Sequence, residues 1–453
     1  MRTGIKLTII AYSAMVLSAR QEVSRDIQKS VPLAAGRSLR VEHSQGSIAI
    51  HTQAQNQVDV HASLRCSADR LEEAHQGCDQ INVKVEESAS GVLVRTEFPE
   101  TGFFSGHRNL SWAVDIEIAM PENAPLDLRD QFGAVSVTGL HAPANIVAGN
   151  GKVSFTGGRG RQHIETSFGD IVLARNDGDV TIVNSNGRVT ASDVTGALDV
   201  RDNFGEIQVT NVGKRLDIAS GNANVTASGV GGPIHISDSF GKVTVRDTKS
   251  DLTVRSQNGD LEATAIAGSA DLRTTFGSVH FSNIGKGATV HAESSQITGD
   301  TVGGPVIADT TFGAIDVHGV KGGAHLTAQS ANIRAVDIGG EVYAKSSFGG
   351  IQVEDVAQPI TVENQSGSVT VRTKASGVCH PISVNTSFAP IKVVLPGALG
   401  FDLTASTTFG QIHSEPPLTL SGRVGNDSVS GKIAGGGCSL KLTNQNGNID
   451  ILR

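Results

Sequence analysis

Through most of the chain, apolar and polar residues alternate in short runs that recur at a fixed spacing. Val135, Val153, Ile171, Val189, Ile207, Val225 and Val243 follow one another at intervals of 18 residues, and the register continues through Leu261, Val279, Ile297, Ile315, Ile333, Ile351 and Val369. Their neighbours are mostly polar, often threonine, as at Thr190, Thr226, Thr244, Thr298 and Thr370. Alternation over β-branched residues predicts a half-buried strand. A second alternating run follows in the same repeat, as in Leu216-Asp217-Ile218, Ile234-His235-Ile236 and Leu252-Thr253-Val254. Each repeat is therefore expected to hold two short strands and two turns.

The turns are marked by glycine, in two flavours. Phe-Gly occurs at Phe132, Phe168, Phe204, Phe240, Phe276, Phe312 and Phe348, always 36 residues apart. Midway stands Asn-Gly, at Asn150, Asn186 and Asn258, or a drifted form: Asn222-Ala223, Ser294-Ser295, Ser330-Ala331 and Ser366-Gly367. Of 14 registers from Gly133 to Gly367, 11 carry glycine. Glycine reaches backbone conformations that other residues avoid, which suits a turn at a constant place in every repeat.

The residue after the glycine decides between a coil of 18 and one of 36 residues. It reads Lys152, Asp170, Arg188, Glu206, Asn224, Lys242, Asp260. Coils of 18 residues stack opposite charges about 4.8 Å apart, whereas coils of 36 would stack Lys152 on Arg188 and Asp170 on Glu206. The shorter coil is favoured. It requires phenylalanine and a small polar residue to alternate in one corner column, where a large ring beside a small residue could fill two layers. Repeats of this kind bury a continuous core only by stacking, and both ends need caps. The expected architecture is a right-handed parallel β-solenoid, the hand following the general preference of parallel crossovers. It comprises about 14 coils over residues 131–376. A β-rich N-terminal cap over 30–130 carries strand patterns at Leu39 to Ile50, Val58 to Leu64, Ile81 to Val85, Val92 to Thr96 and Ala113 to Met120, around a polar, helix-like segment from Ser67 to Gly77. A C-terminal β cap over 377–453 echoes the repeat at Phe388, Phe409-Gly410 and Asn446 to Ile451.

The iterated F-G-x-[IV]-x-V of Phe204 to Val209, the N-G-x-[VL] of Asn186 to Val189 and Asn258 to Leu261, the VDIEIAMP of Val114 to Pro121 and the terminal NGNIDI of Asn446 to Ile451 carry a resemblance. The chain from about residue 40 onward resembles the bacterial β-strand-repeat family of unknown function that bears an adhesin label and is related to the auto-transporter adhesin head domain. The resemblance implies the fold. It implies no activity and no site residue, and the adhesin label rests on fold alone.

Composition narrows the function classes. Glycine is abundant (53 residues), aromatics are scarce (4%), and the formal net charge of -8 is spread along the chain, leaving no basic stripe for nucleic acid. Residues 1–20 place a short basic stretch before an apolar core from Leu7 to Leu17, the pattern of a secretory signal or short anchor and too short for a confident membrane span. Cys66, Cys78, Cys379 and Cys438 form no C-x-x-C pair; an even count in an exported chain favours disulfides, Cys66 with Cys78 and Cys379 with Cys438, against four reduced thiols.

Candidate chemistry is sparse. His163, His235 and His325 share an outward repeat position with Asp199, Asp217 and Asp271, an arrangement that could bind metal but reads more simply as a polar stripe with Thr181, Thr253, Thr289 and Thr361. Gly157 to Gly160 and Val230 to Pro233 lack the strand-turn-helix setting of a phosphate loop. Arg175 to Asp179 lacks the glycine-rich nonapeptide of calcium-binding β-rolls. Asn109 and Asn364 begin sequons. Phe103, Phe104 and Trp112 on a glycine-rich stretch form a possible contact loop, or a flap over the first coil. The expected function is that of an extracytoplasmic, adhesin-like interaction scaffold at the surface or in the periplasm, non-enzymatic and without cofactor or metal. Its partner would be a protein or glycan of the cell envelope, with the membrane reached only through the N-terminal anchor. The alternatives are a carbohydrate-active β-helix enzyme and a structural, envelope-stress-linked periplasmic protein without a dedicated ligand.

Overall fold

The computed structural model describes residues 20–98, 110–375, 377–397, 399–421, 425 and 427–453. The expected N-terminal signal or anchor lies almost wholly outside the described residues. The chain divides into two compact units between Val137 and Thr138.

The second unit is a β-solenoid of parallel coils about 18 residues apart. The strand Leu198–Val212 pairs in parallel with Val180–Val194 on one side and Leu216–Val230 on the other; Ile207 faces Val189 and Val225. Counting from the corner glycine, aliphatic side chains two and four residues later point inward, as do those five and seven residues earlier. Val200, Ile207 and Val209 are completely buried. Neighbouring coils adjust to one another. Phe281 is fully buried, and the facing residue in the next coil is Gly299, where a Cβ would stand 2.2 Å from the Phe281 ring.

The glycine of the corner has a steric cause. At the Phe-Gly corners Gly169, Gly205, Gly241, Gly277, Gly313 and Gly349 have φ between +112 and +156°, and a Cβ on Gly277 would lie 2.3 Å from the Gly259 carbonyl oxygen of the coil before. Of the intervening corners, Gly151, Gly187 and Gly367 share the positive φ, at +130 to +143°, whereas Ala223, Ser295 and Ala331 do not. The sequence-based expectation included two turns per repeat but no left-handed residue outside the glycine corner. Six residues after the corner glycine the backbone is left-handed at Gly157, Arg175, Asp193, Asn211, Gly229, Asp247, Ala265, Asn283, Thr301, Gly319, Asp337 and Asp355. Gly, Asn and Asp dominate there because they tolerate this conformation best.

Stacked charges follow the shorter coil: Arg188 Nε lies 3.0 Å from Glu206 Oε2, and the Asp170 carboxylate accepts the Arg188 backbone N–H at 2.9 Å.

The C-terminal segment is woven into the stack. The strand Cys438–Asn446 runs parallel between Ile382–Phe388 and Phe401–Phe409, and Ile449–Leu452 lies between Ile391–Val394 and Ile412–Ser414. The strand Ser428–Ile433 then covers Phe401–Phe409 antiparallel. Cys379 and Cys438 are joined by a disulfide at the entry of the inserted strand.

In the first unit, Ser38–Glu42 runs parallel between Gly91–Glu97 and Leu126–Phe132, while Gln57–Ala68 pairs antiparallel with Gln21–Pro32 and Ser111–Pro121. A helix, Leu71–Asp79, follows with no side-chain cap, and nine residues are too few to hold a helix alone. Its buried face is Ala74, Gly77 and Cys78, and a Cys66–Cys78 disulfide ties it to the sheet.

Candidate interaction surface

Five of the six carboxylates and histidines singled out in the sequence, Asp199, Asp217, Asp271, His163 and His325, have a partner within the chain. Asp199, Asp217 and His235 do stack as neighbours. However, Asp217 pairs with Arg215, Asp199 with Arg201 at 3.5 Å and Asp271 with Arg273 at 3.2 Å, each carboxylate meeting a cation two residues away in the chain. His163 lies 3.7 Å from Glu165, and His325 stacks on Tyr343 with ring centroids 4.5 Å apart. Among the described residues no group of three or more His, Cys, Asp or Glu side chains could hold a metal ion. In the run Arg175 to Asp179, Arg175 is the left-handed residue, Asp177 accepts from the Thr195 hydroxyl and Asp179 accepts the Ala197 N–H, both one coil on. The sequon residue Asn364 is buried, its amide donating to the Gly349 and Gly367 carbonyls at 3.0 and 2.7 Å.

The proposed contact loop is divided. Phe103 and Phe104 lie outside the described residues. Trp112 is not on a loop: it stands on the strand Ser111–Pro121 opposite Cys66, half-buried, its ring 6.3 Å from that of Phe98. Elsewhere in the first unit, a groove of about 310 Å³ runs past His51, His61, Asp59 and Glu117, with His51 3.7 Å from Glu117 and His61 3.8 Å from Asp26. His43 is buried; desolvation holds it down at about 4, neutral, with Nδ1 2.9 Å from the Thr96 hydroxyl.

The feature that stands out is the corner of the second unit. The phenylalanines were expected to fill the corner between layers. Instead the rings of Phe168, Phe204, Phe240, Phe276, Phe312, Phe348, Phe388 and Phe409 point outward, 49 to 72% exposed. Strand alternation holds up to the position two residues before each ring, and the glycine corner then turns the ring into solvent. Between successive rings lies one short polar residue: Phe168 faces Asn186, which faces Phe204; Phe276 faces Ser294, which faces Phe312. The inserted C-terminal strand keeps the rhythm, placing Asn446 between Phe388 and Phe409. With about 4.8 Å per layer, the rings stand about 10 Å apart along one edge. The residue before each ring is Ser, Thr or Asn throughout this unit.

Under this stripe runs a buried polar column. Thr166, Asn184, Asp202, Ser220, Asp238 and Ser256 face one another in consecutive coils, two residues ahead of the corner position. Farther along, the same column donates to corner carbonyls: the Thr274 hydroxyl to Phe276 at 2.8 Å, Thr310 to Phe312 at 3.0 Å, Ser346 to Ala331 at 3.0 Å. An aspartate can donate there only when protonated. Burial pushes the Asp202 carboxyl up to about 6 against the opposing pull of the Asn203 and Phe204 N–H groups, and raises Asp238 in the same way. Asp130, in the first unit, is also pushed by burial up to about 6. The sequence carried this signal as Asp, Thr or Ser two residues before each Phe-Gly.

A family model described as Toastrack DUF4097 matches residues 208–452, more than half of the chain. The chain belongs to the Toastrack DUF4097 family. It is also similar to three crystal structures. A candidate cell-adhesion protein from Clostridium sporogenes is 9% identical over 95% of this chain and 99% of that one, with a TM-score of 0.17. A candidate lipid-binding protein from Parabacteroides distasonis is 10% identical over 72% and 96%, with a TM-score of 0.19. A candidate adhesin from Bacteroides fragilis is 11% identical over 77% and 97%, with a TM-score of 0.16. At this identity and overlap they carry no functional argument. No curated protein matches the chain. In this Toastrack chain, the described residues include no helix long and apolar enough to cross a membrane.

Proposed function

We propose that this Toastrack protein is a non-enzymatic, extracytoplasmic interaction scaffold whose contact surface is the phenylalanine edge of the solenoid. The observation that carries the reading is the edge itself. Eight rings in one line expose apolar surface of several hundred Å², a size that marks an interaction site on a soluble protein. A repeat that needed only a tight corner would have no use for a ring in solvent, since Asn or Ser occupies the alternate corners equally well. The two disulfides favour an oxidising compartment, and the pairing of the outward carboxylates with arginines argues against a hydrolytic centre.

The test is retention of the purified chain on isolated cell envelopes. The variant Phe240→Ser/Phe276→Ser/Phe312→Ser should keep the thermal transition of the parent, because the rings are already exposed, and should lose most of the retention. Protease treatment of the envelopes separates a protein receptor from a glycan. Unchanged retention of the triple variant, or a polysaccharide-cleaving activity abolished by one Asp or His substitution, would sink the reading.

A further inference from the structure

We infer that the phenylalanine edge is a self-recognition surface, on which a second copy of this chain docks antiparallel with the two rows of rings interleaved. The inference rests on the contact-surface reading above and names the partner.

Large rings alternate with short Asn or Ser residues, layer by layer, from Asn150 to Phe409. Such an edge is complementary to itself once it is offset by one layer. In a two-fold dimer of parallel edges each layer meets its own copy, so ring meets ring. In an antiparallel dimer whose axis passes between the layers of Phe276 and Ser294, layers of opposite kind meet along the whole edge. Phe276 faces Ser294 of the second copy, Phe312 faces Asn258, Phe240 faces Ser330, and at the far ends Phe409 faces Asn150. With this single axis all eight rings find a gap, because the woven strand supplies Asn446 as the last spacer.

Charge supports the same axis. The column after the corner glycine is charged in the N-terminal half, at Lys152, Asp170, Arg188, Glu206, Lys242 and Asp260, and uncharged from Ser278 onward. The two-fold operation brings this column against its own reversed copy. Asp260 then meets Ala314, Lys242 meets Asn332 and Glu206 meets Ser368, so no like charges meet within this column. The area is sufficient. Half of a phenylalanine surface is about 100 Å², so eight rings offer roughly 800 Å² per copy, the size of a standard stable interface. The contact is isologous and closes at two copies, as most soluble homo-oligomers do.

The experiment is sedimentation velocity on the full chain across a concentration series, with two variants. The parent should sediment as a dimer. Phe276→Ser/Phe312→Ser should dissociate at least about tenfold more readily. Ser294→Phe/Ser330→Phe is the sharper test. It adds apolar surface but fills two gaps, so interleaved edges must dissociate more readily, whereas unspecific hydrophobic association must tighten. A parent that is monomeric at every concentration, or a gap-filled variant that associates more strongly, overturns the inference. If the parent is monomeric yet the triple serine variant loses envelope retention, the edge serves a different partner and only the dimer falls. If the dimer forms as described but retention ignores the rings, the dimer stands and the scaffold reading falls.

Discussion

A threonine and an aspartate at the same place in the buried column act differently on the folding equilibrium. Thr274 and Thr310 satisfy their corner carbonyls at any pH. Asp202 and Asp238 are placed likewise, and burial raises both carboxyls, Asp202 from 3.8 to about 6. A carboxyl that holds its proton more tightly when folded stabilises the native state fully below its unfolded value. That contribution is lost as pH rises through the folded value, here between about 4 and 6. Above pH 6 the buried Asp202 charge is a net cost of about 1 to 3 kcal/mol, and the Asp238 charge acts in the same direction. Asp202→Thr/Asp238→Thr is therefore expected to be more stable than the parent at pH 7.5 and to flatten the decline in stability from pH 4 to 6. Urea denaturation at pH 4.5 and 7.5 checks this. A variant less stable at pH 7.5, with the decline intact, would show that the column wants carboxylates.

At the scale of one coil, neighbouring corners divide the backbone work unequally where one of them has lost its glycine. The Gly277 corner takes a φ closed to residues with a Cβ and leaves no room for one, 2.3 Å from the Gly259 carbonyl; the Ser295 corner, like those of Ala223 and Ala331, takes no positive φ. Gly277→Ala should therefore cost about 2 kcal/mol or more, whereas Ser295→Ala, one coil on, should stay within about 1 kcal/mol. Thermal unfolding of the two single variants decides it, and equal losses would refute the division. The coil also shows what could be read in the sequence and what could not. The column Ile171, Val189, Ile207 and its continuation was legible because burial in every layer admits only aliphatics there. The 18-residue pitch was legible because Arg188 and Glu206 must not meet their own kind. The outward turn of Phe204 was not, since a large apolar ring beside a glycine reads as core until the corner geometry is known. The left-handed turn was half-visible in Asp193, Asn211 and Asp247, but Arg175, Ala265 and Thr301 blur the column. The buried Asp202 looked like any polar residue beside a turn. The phenylalanine stripe was therefore present in the sequence as a period, and only its direction was hidden.

For the solenoid unit as a whole, stability follows from its one-dimensional contacts. Each coil touches only its neighbours, so the ends govern how readily the stack frays. The C-terminal end is protected by weaving: Cys438–Asn446 pairs on both sides, with Ile382–Phe388 and Phe401–Phe409, and Ile449–Leu452 does the same one face around. Removing an outermost strand from an ordinary stack would expose one layer. Removing this one takes the middle of three layers, deletes Cys438 from its bridge to Cys379, and leaves Phe401–Phe409 without a parallel partner. The bridge spans 59 residues, a loop for which chain entropy predicts a contribution of about 4 kcal/mol. A chain ending at Gly437 should consequently lose hydrogen-exchange protection at both Ile382–Phe388 and Phe401–Phe409, while Leu198–Val212, many coils away, keeps it. Cys438→Ser in the full chain separates the two causes. It should lower the global stability while leaving the pattern of protected strands in place, because the strand remains inserted without its bridge. If truncation loosens only Phe401–Phe409, the inserted strand is a peripheral flap rather than a layer of the stack.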